Sequence, residues 1–237
     1  MVEVAAALPE TKGVRLGGAL YNGNHARLGE EVVRLGSAGL DFVHLDVFDG
    51  NFVPDMGFPP RTIADLRPLT TLPFEVHLGV DEPLRIIPVL VGAGVDLVLI
   101  HVESVAMPYE ALHVARGHGS KVGLAISLGT PLNCLEPVIR LVDAVLLLSR
   151  VTGEGSLGSS FDALVFRRVR AVKEMVFAAE AQVDIQVAGG VRREHVGELV
   201  AAGATTLALG GGIYRARDMA QAVAEIRNVV VQAKQRR

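Results

Sequence analysis

The chain has 237 residues, 50% of them hydrophobic, with a formal net charge of −3, no Trp and one cysteine. That length buries a large core, as one α/β barrel or two small domains. The absence of a basic field argues against nucleic acid as a partner, and Cys134 alone excludes an intrachain disulfide or a cysteine-rich metal site.

Residues 1–13, MVEVAAALPETKG, lack a basic start and a long apolar run, so they read as an N-terminal extension and not a signal peptide. Later apolar stretches are broken by Gly, Pro or Asp well short of a membrane span, so no membrane contact and a cytoplasmic setting are expected. A first strand is expected over 14–20 and a helix over 25–38. The second strand, 42–46, sets His44 and Asp46 on one face, because alternate strand residues point the same way. Asp49-Gly50 then turns the chain, and Pro54, Pro59 and Pro60 stiffen a loop into a helix over 60–67. The third strand, 73–77, ends in FEVH with Glu75 and His77 on alternate positions, ahead of a helix over 83–92. The fourth, 96–101, ends at His101 and Glu103 before a helix over 106–117.

Strands over 121–126 and 143–148 precede helical patterns over 132–140 and 162–178. Between the last two lies VTGEGSLGSS at 151–160, either a loop able to close over a ligand or a plain surface loop. The final strands, 183–187 and 205–209, run into VAGGVRREH and LGGGIYRARD, followed by helices over 192–202 and 216–234.

Eight strand–helix pairs specify a TIM (β/α)8 barrel, here a single domain over 14–237. An internal echo supports the count: SAGLDFVHLD, GAGVDLVLIH and AAGATTLALG each put a helix-ending glycine (Gly39, Gly94, Gly203) before a buried strand. A doubly wound sheet is the runner-up, but its glycine-rich fingerprint would come early and here the glycine-rich loops come late.

In such a barrel chemistry sits at the carboxyl ends of the strands. Two His and one Asp from the neighbouring strand ends, which carry His44 and Asp46, Glu75 and His77, and His101 and Glu103, form a facial donor set for Zn²⁺, Mn²⁺ or Fe²⁺ with positions open to substrate oxygens. The glycine turns offer backbone N–H groups to a phosphate: Gly189 and Gly190, then Gly210, Gly211 and Gly212, with Gly155 and Gly158 from the loop after strand six. A phosphate anchor on one side and a metal-bound oxygenated carbon chain on the other point to a phosphorylated keto-sugar.

From Val14 onward the sequence resembles the ribulose-phosphate 3-epimerase family. HLDVFDGNFVPDMGF, FEVHL, HVE at 101–103, GLAISLGTPL at 123–132, VAGGV and GGGIY fall in the family's order. The resemblance implies a ribulose-phosphate-binding TIM barrel, a homo-oligomer, and a divalent metal (Zn, Fe or Mn) held by two His and two Asp. It implies too that the aspartates work as paired acid and base on opposite faces of the inverted carbon. His44, Asp46 and His77 match three ligands, Asp46 being a catalytic group; Asn22, Met56 and Glu75 are expected to contact substrate. The fourth ligand position holds Ala188, in VAGG where the family has aspartate. Asn22 stands where the family has serine, and the loop after strand six is longer, with Arg150 and Glu154 added. The expectation is an epimerase-like isomerase acting by metal-assisted proton abstraction through an enediolate. A one-base isomerase or lyase, or a non-catalytic phosphosugar-binding protein, are the alternatives.

Overall fold

A computed structural model describes residues 13–151 and 160–235. Eight parallel strands close into a barrel in sequence order. They are β1 (Arg15–Ala19), β2 (Phe42–Phe48), β3 (Phe74–Gly79) and β4 (Leu97–His101), then β5 (Lys121–Ile126), β6 (Ala144–Leu148), β7 (Asp184–Ala188) and β8 (Thr206–Leu209). Helices α1 (Leu28–Ser37), α2 (Pro60–Leu66), α3 (Pro83–Gly92), α4 (Pro108–Gly117), α5 (Leu164–Ala178), α6 (Arg193–Ala202), α7 (Gly211–Tyr214) and α8 (Met219–Gln235) surround it. Gly39, Gly94 and Gly203 all have positive φ, the conformation that ends a helix and redirects the chain into a strand. No helix among the described residues is long and apolar enough to cross a membrane.

Side-chain alternation sorts the strands into two layers. Val43, Leu45, Val76, Leu78, Val98 and Ile100 join the core between barrel and helices. Leu97, Leu99, Leu146, Leu148, Ala188 and Ala208 form a second cluster within the barrel. At the amino-terminal end of the strands Arg15 pairs with Asp184 at 3.2 Å, and its guanidinium lies 4.8 Å over the Phe42 ring. Gly17 permits this, since a Cβ there would overlap that ring.

Three sequence-predicted helices are altered by local chemistry. The pattern over 132–140 forms two 3-10 turns, Leu132–Leu135 and Ile139–Leu141. Pro137, which has no N–H, interrupts an α-helical ladder there. Cys134 is half-buried, its thiol donating to the Pro131 carbonyl at 3.1 Å. The helix expected from 25 starts at Leu28, behind a 3-10 turn His25–Arg27 whose Ala26 N–H is taken by the Asn24 side chain at 3.0 Å. The one expected from 216 starts at Met219, where the Asp218 carboxylate accepts from the Gln221 N–H at 3.0 Å.

Candidate active site

The β2–β3 register sets His44 beside Glu75 and Asp46 beside His77. Donor atoms of His44, Asp46 and His77 therefore lie within 4.8 Å of one another. His44 Nε2 stands 3.6 Å from Asp46 Oδ1, and His77 Nδ1 stands 3.0 Å from the same oxygen. Metal–ligand bonds of about 2.0–2.2 Å in a tetrahedral site put neighbouring donors roughly 3.3–3.6 Å apart. Two imidazoles and a carboxylate at this spacing fit Zn²⁺, Fe²⁺ or Mn²⁺.

Each histidine is held from behind. His44 Nδ1 donates to Glu75 Oε1 at 3.0 Å, and Glu75 Oε2 accepts from Gln186 Nε2 at 2.9 Å. His77 Nε2 meets His101 Nε2 at 2.8 Å, and His101 Nδ1 donates to Glu103 Oε2 at 2.8 Å. Burial disfavours the His44 imidazolium, but hydrogen bonds to Asp46 and Glu75 outweigh it and push its pKa up to about 10. Burial opposes ionisation of Asp46 as well, yet the adjoining His44 and His77 imidazoles hold it well below the usual carboxylate range. For His77 burial dominates and the pKa falls to about 4.

These groups open into a cavity of about 780 Å³ whose far side is built from β6 to β8. Gly189, Gly190, Gly210, Gly211 and Gly212 line it. Gly189 and Gly190 have φ of 98° and 69°, which explains the glycine pair. The Ser149 hydroxyl donates to the Ala188 carbonyl at 2.9 Å and ties β6 to that turn. Ala188 lines the wall, so a methyl group faces the space across from Asp46. Three arginines also line this side: Arg150 after β6, Arg192 after β7 and Arg215 after α7. None makes an ion pair with another described residue. Arg150 Cγ would lie 2.9 Å from a Cβ on Gly189, and Arg215 Nε 3.6 Å from one on Gly211, so each arginine folds over a bare glycine turn.

The structure brings His44, Asp46 and His77 together and adds Asn22 to the cavity wall, against Gly210. Two expected substrate contacts do not reach it. Glu75 is 2% exposed and spends both oxygens on His44 and Gln186. Met56 is 68% exposed and lies over Gly50, because the bridge between Asp49 and Met56 turns its side chain outward. Phe48 takes the wall position from that segment. Gly155, Gly158 and Glu154 lie outside the described residues, as does the N-terminal extension up to residue 12.

The sequence reading passed over Arg192 and Arg215, although both stand within the quoted VAGGVRREH and GGGIYRARD turns. A long cation directly after a strand-end glycine turn was the available signal. It also passed over Tyr21, whose hydroxyl donates to Asp55 Oδ1 at 2.5 Å on the cavity wall. Burial and Asp55 push that phenol up to about 12, so it stays a neutral hydroxyl.

The sequence profile of the ribulose-phosphate 3 epimerase family matches residues 15–214. The chain belongs to this family. It is 33% identical to ribulose-phosphate 3-epimerase of Synechocystis sp., covering 92% of this chain and 95% of that one. It is 32% identical to the Escherichia coli enzyme over 89% and 93% of the two chains. The chloroplastic ribulose-5-phosphate-3-epimerase of Arabidopsis thaliana is 34% identical, over 88% of this chain and 74% of that protein. Among solved structures, a 3-hexulose-6-phosphate synthase superposes with a TM-score of 0.62 at 19% identity, over 91% of this chain and 99% of that one. A tryptophan synthase α-subunit from Pyrococcus furiosus gives 0.63 at 16% identity, over 94% and 98%. At such identities the likeness shows the barrel fold alone.

Proposed function

We propose that the chain is a ribulose-phosphate 3-epimerase-like isomerase that acts on a ketose phosphate, with Asp46 removing the C3 proton to give an enediolate. The observation that carries this reading is the convergence of His44, Asp46 and His77 in one cavity with the β7 and β8 glycine turns. A divalent cation held by these three side chains would polarise the oxygens on C2 and C3 and acidify the C3–H bond. His44 and His77 both address Asp46 Oδ1, which leaves Oδ2 to take the proton. Asn22 contacts the sugar chain in this reading, while Glu75 acts from behind His44. In this reading the phosphate rests on N–H groups of Gly189, Gly190, Gly210, Gly211 and Gly212, with Gly155 and Gly158 as further phosphate-binding residues and Arg150, Arg192 and Arg215 adding charge.

Inversion needs a proton delivered to the opposite face, and Ala188 has none to give. Asp46 and Asp55 are the carboxylates on the described cavity wall, and Asp55 is paired with Tyr21. That observation favours one second reading, a one-base isomerase or lyase working through the same enediolate. Incubation with ribulose 5-phosphate in D₂O separates the two. Deuterium at C3 together with xylulose 5-phosphate supports epimerisation. Deuterium without inversion supports the one-base enzyme, and no label on any ketose phosphate rejects proton abstraction by Asp46.

A further inference from the structure

We propose that His101 and Glu103 are positioning residues of the metal centre, fixing which nitrogen of His77 faces the cation. The inference rests on the metal reading above. An ionised carboxylate only accepts, so the 2.8 Å contact between Glu103 Oε2 and His101 Nδ1 puts the ring hydrogen on Nδ1. With its ring hydrogen on Nδ1, His101 offers Nε2 as an acceptor. The 2.8 Å contact across to His77 Nε2 is filled by the His77 Nε2–H. His77 Nδ1 is left as a lone pair 3.0 Å from the Asp46 carboxylate. Two acceptors that face each other need a cation between them, and the hydrogen-bond chain prepares that place.

The chain is anchored at its outer end. Glu103 Oε1 accepts from the Ser127 N–H at 2.8 Å and from the Thr130 hydroxyl at 2.5 Å, so the carboxylate is held in one orientation. Arg168 of α5 donates to the Thr130 and Ser127 carbonyls at 2.8 and 3.1 Å, fixing the loop that carries both donors. His101 is 0% exposed, so water cannot take over as acceptor for His77. His44 is backed directly by Glu75, whereas His77 reaches its carboxylate through a second imidazole. Proton abstraction at C3 uses neither His101 nor Glu103.

The test is the dissociation constant for Zn²⁺ alone, by competition with a chelator, in wild type, His101→Phe, His101→Gln and Glu103→Ala. Phe fills the ring's space without an acceptor, while the Gln amide oxygen can still accept the His77 N–H. Expected are a roughly 10–100-fold weaker site in His101→Phe and Glu103→Ala, and recovery to within several-fold of wild type in His101→Gln. A packing role reverses the order, with Phe near wild type and Gln weaker, and that result overturns the inference. Where His101→Phe does not fold, ring ¹⁵N shifts of the Zn²⁺-loaded wild type decide. A hydrogen on His101 Nδ1 and on His77 Nε2 upholds the chain, and one on His101 Nε2 overturns it. A wild type that binds no Zn²⁺ sinks the metal reading itself, an outcome distinct from tight binding that the variants leave unchanged.

Discussion

The two sides of the cavity solve different problems with different parts of the residue alphabet. The side from β2 to β4 is built of short, hydrogen-bonded side chains, with His44, Glu75, His77 and His101 buried and Asp46 partly exposed to the cavity. The side from β6 to β8 is built of glycine turns, a methyl group at Ala188 and long arginines. The first can hold a cation and move a proton, because low exposure and fixed partners keep each group in one orientation. The second offers donors suited to an anion, because backbone N–H groups and guanidinium groups donate and do not accept. In a two-base epimerase the chemistry straddles the cavity; in the reading proposed above it is concentrated on one side.

Deleting the reactive side should have the largest effect. Asp46→Asn keeps the shape but removes the proposed base and charged ligand, so C3 deuterium exchange should fall by at least ~10³-fold and bound metal should drop. His77→Ala leaves Asp46 in place and should release the metal, measured by elemental analysis of purified protein. Full exchange activity in metal-free His77→Ala would mean that the β2–β4 side works without a cation.

The comparison is sharpened by adding chemistry to the inert side. Ala188→Asp sets a carboxylate across from Asp46, and pentulose 3-epimerisation should rise on the order of 10²–10⁴-fold over the parent, read by coupled assay with ribulose 5-phosphate. An unchanged rate would mean that other replacements on the β6–β8 side, Arg150 first among them, have turned the site to a different reaction. Arg150→Gln and Arg215→Gln test the binding role of that side. Each should raise KM for a phosphosugar about 10-fold with kcat nearly constant, the loss of one charge-assisted hydrogen bond.

How far each side was legible in the sequence follows from the same contrast. Strand periodicity sets alternate residues on one face, so His44 with Asp46, and Glu75 with His77, could be paired on the page before any fold was known. The barrel followed from repeated strand–helix units, and Gly39, Gly94 and Gly203 mark where three of them turn. What periodicity cannot supply is depth. Glu75 and His77 sit two residues apart on one face, yet the first lies behind His44 and the second opens to the cavity. Met56 fails for a related reason, since a loop residue has no alternation to orient it. Arg150 stood out only as a departure from the family pattern, and Arg192 and Arg215 went unweighed because a long side chain in a turn reads as a solvated charge until the cavity beneath it is seen.

The smallest effect concerns acid stability and probes the outer edge of the reactive side. Burial would raise the pKa of Glu103, but hydrogen bonds from His101 and Thr130 override it and hold the group at about 2. A carboxylate depressed in the folded state binds fewer protons there than in the unfolded chain, so stability rises with pH across the interval between the two pKa values. The contribution should be complete above about pH 5 and should fade as the pH drops toward 2, an effect on the order of 2 kcal/mol. Glu103→Gln cannot titrate, so urea midpoints of wild type and variant should differ most near neutral pH and converge in acid. Parallel acid limbs would show that His101 does not hold Glu103 ionised. The chain of hydrogen bonds from the β5 loop to His77 would then lack the fixed charge at its outer end.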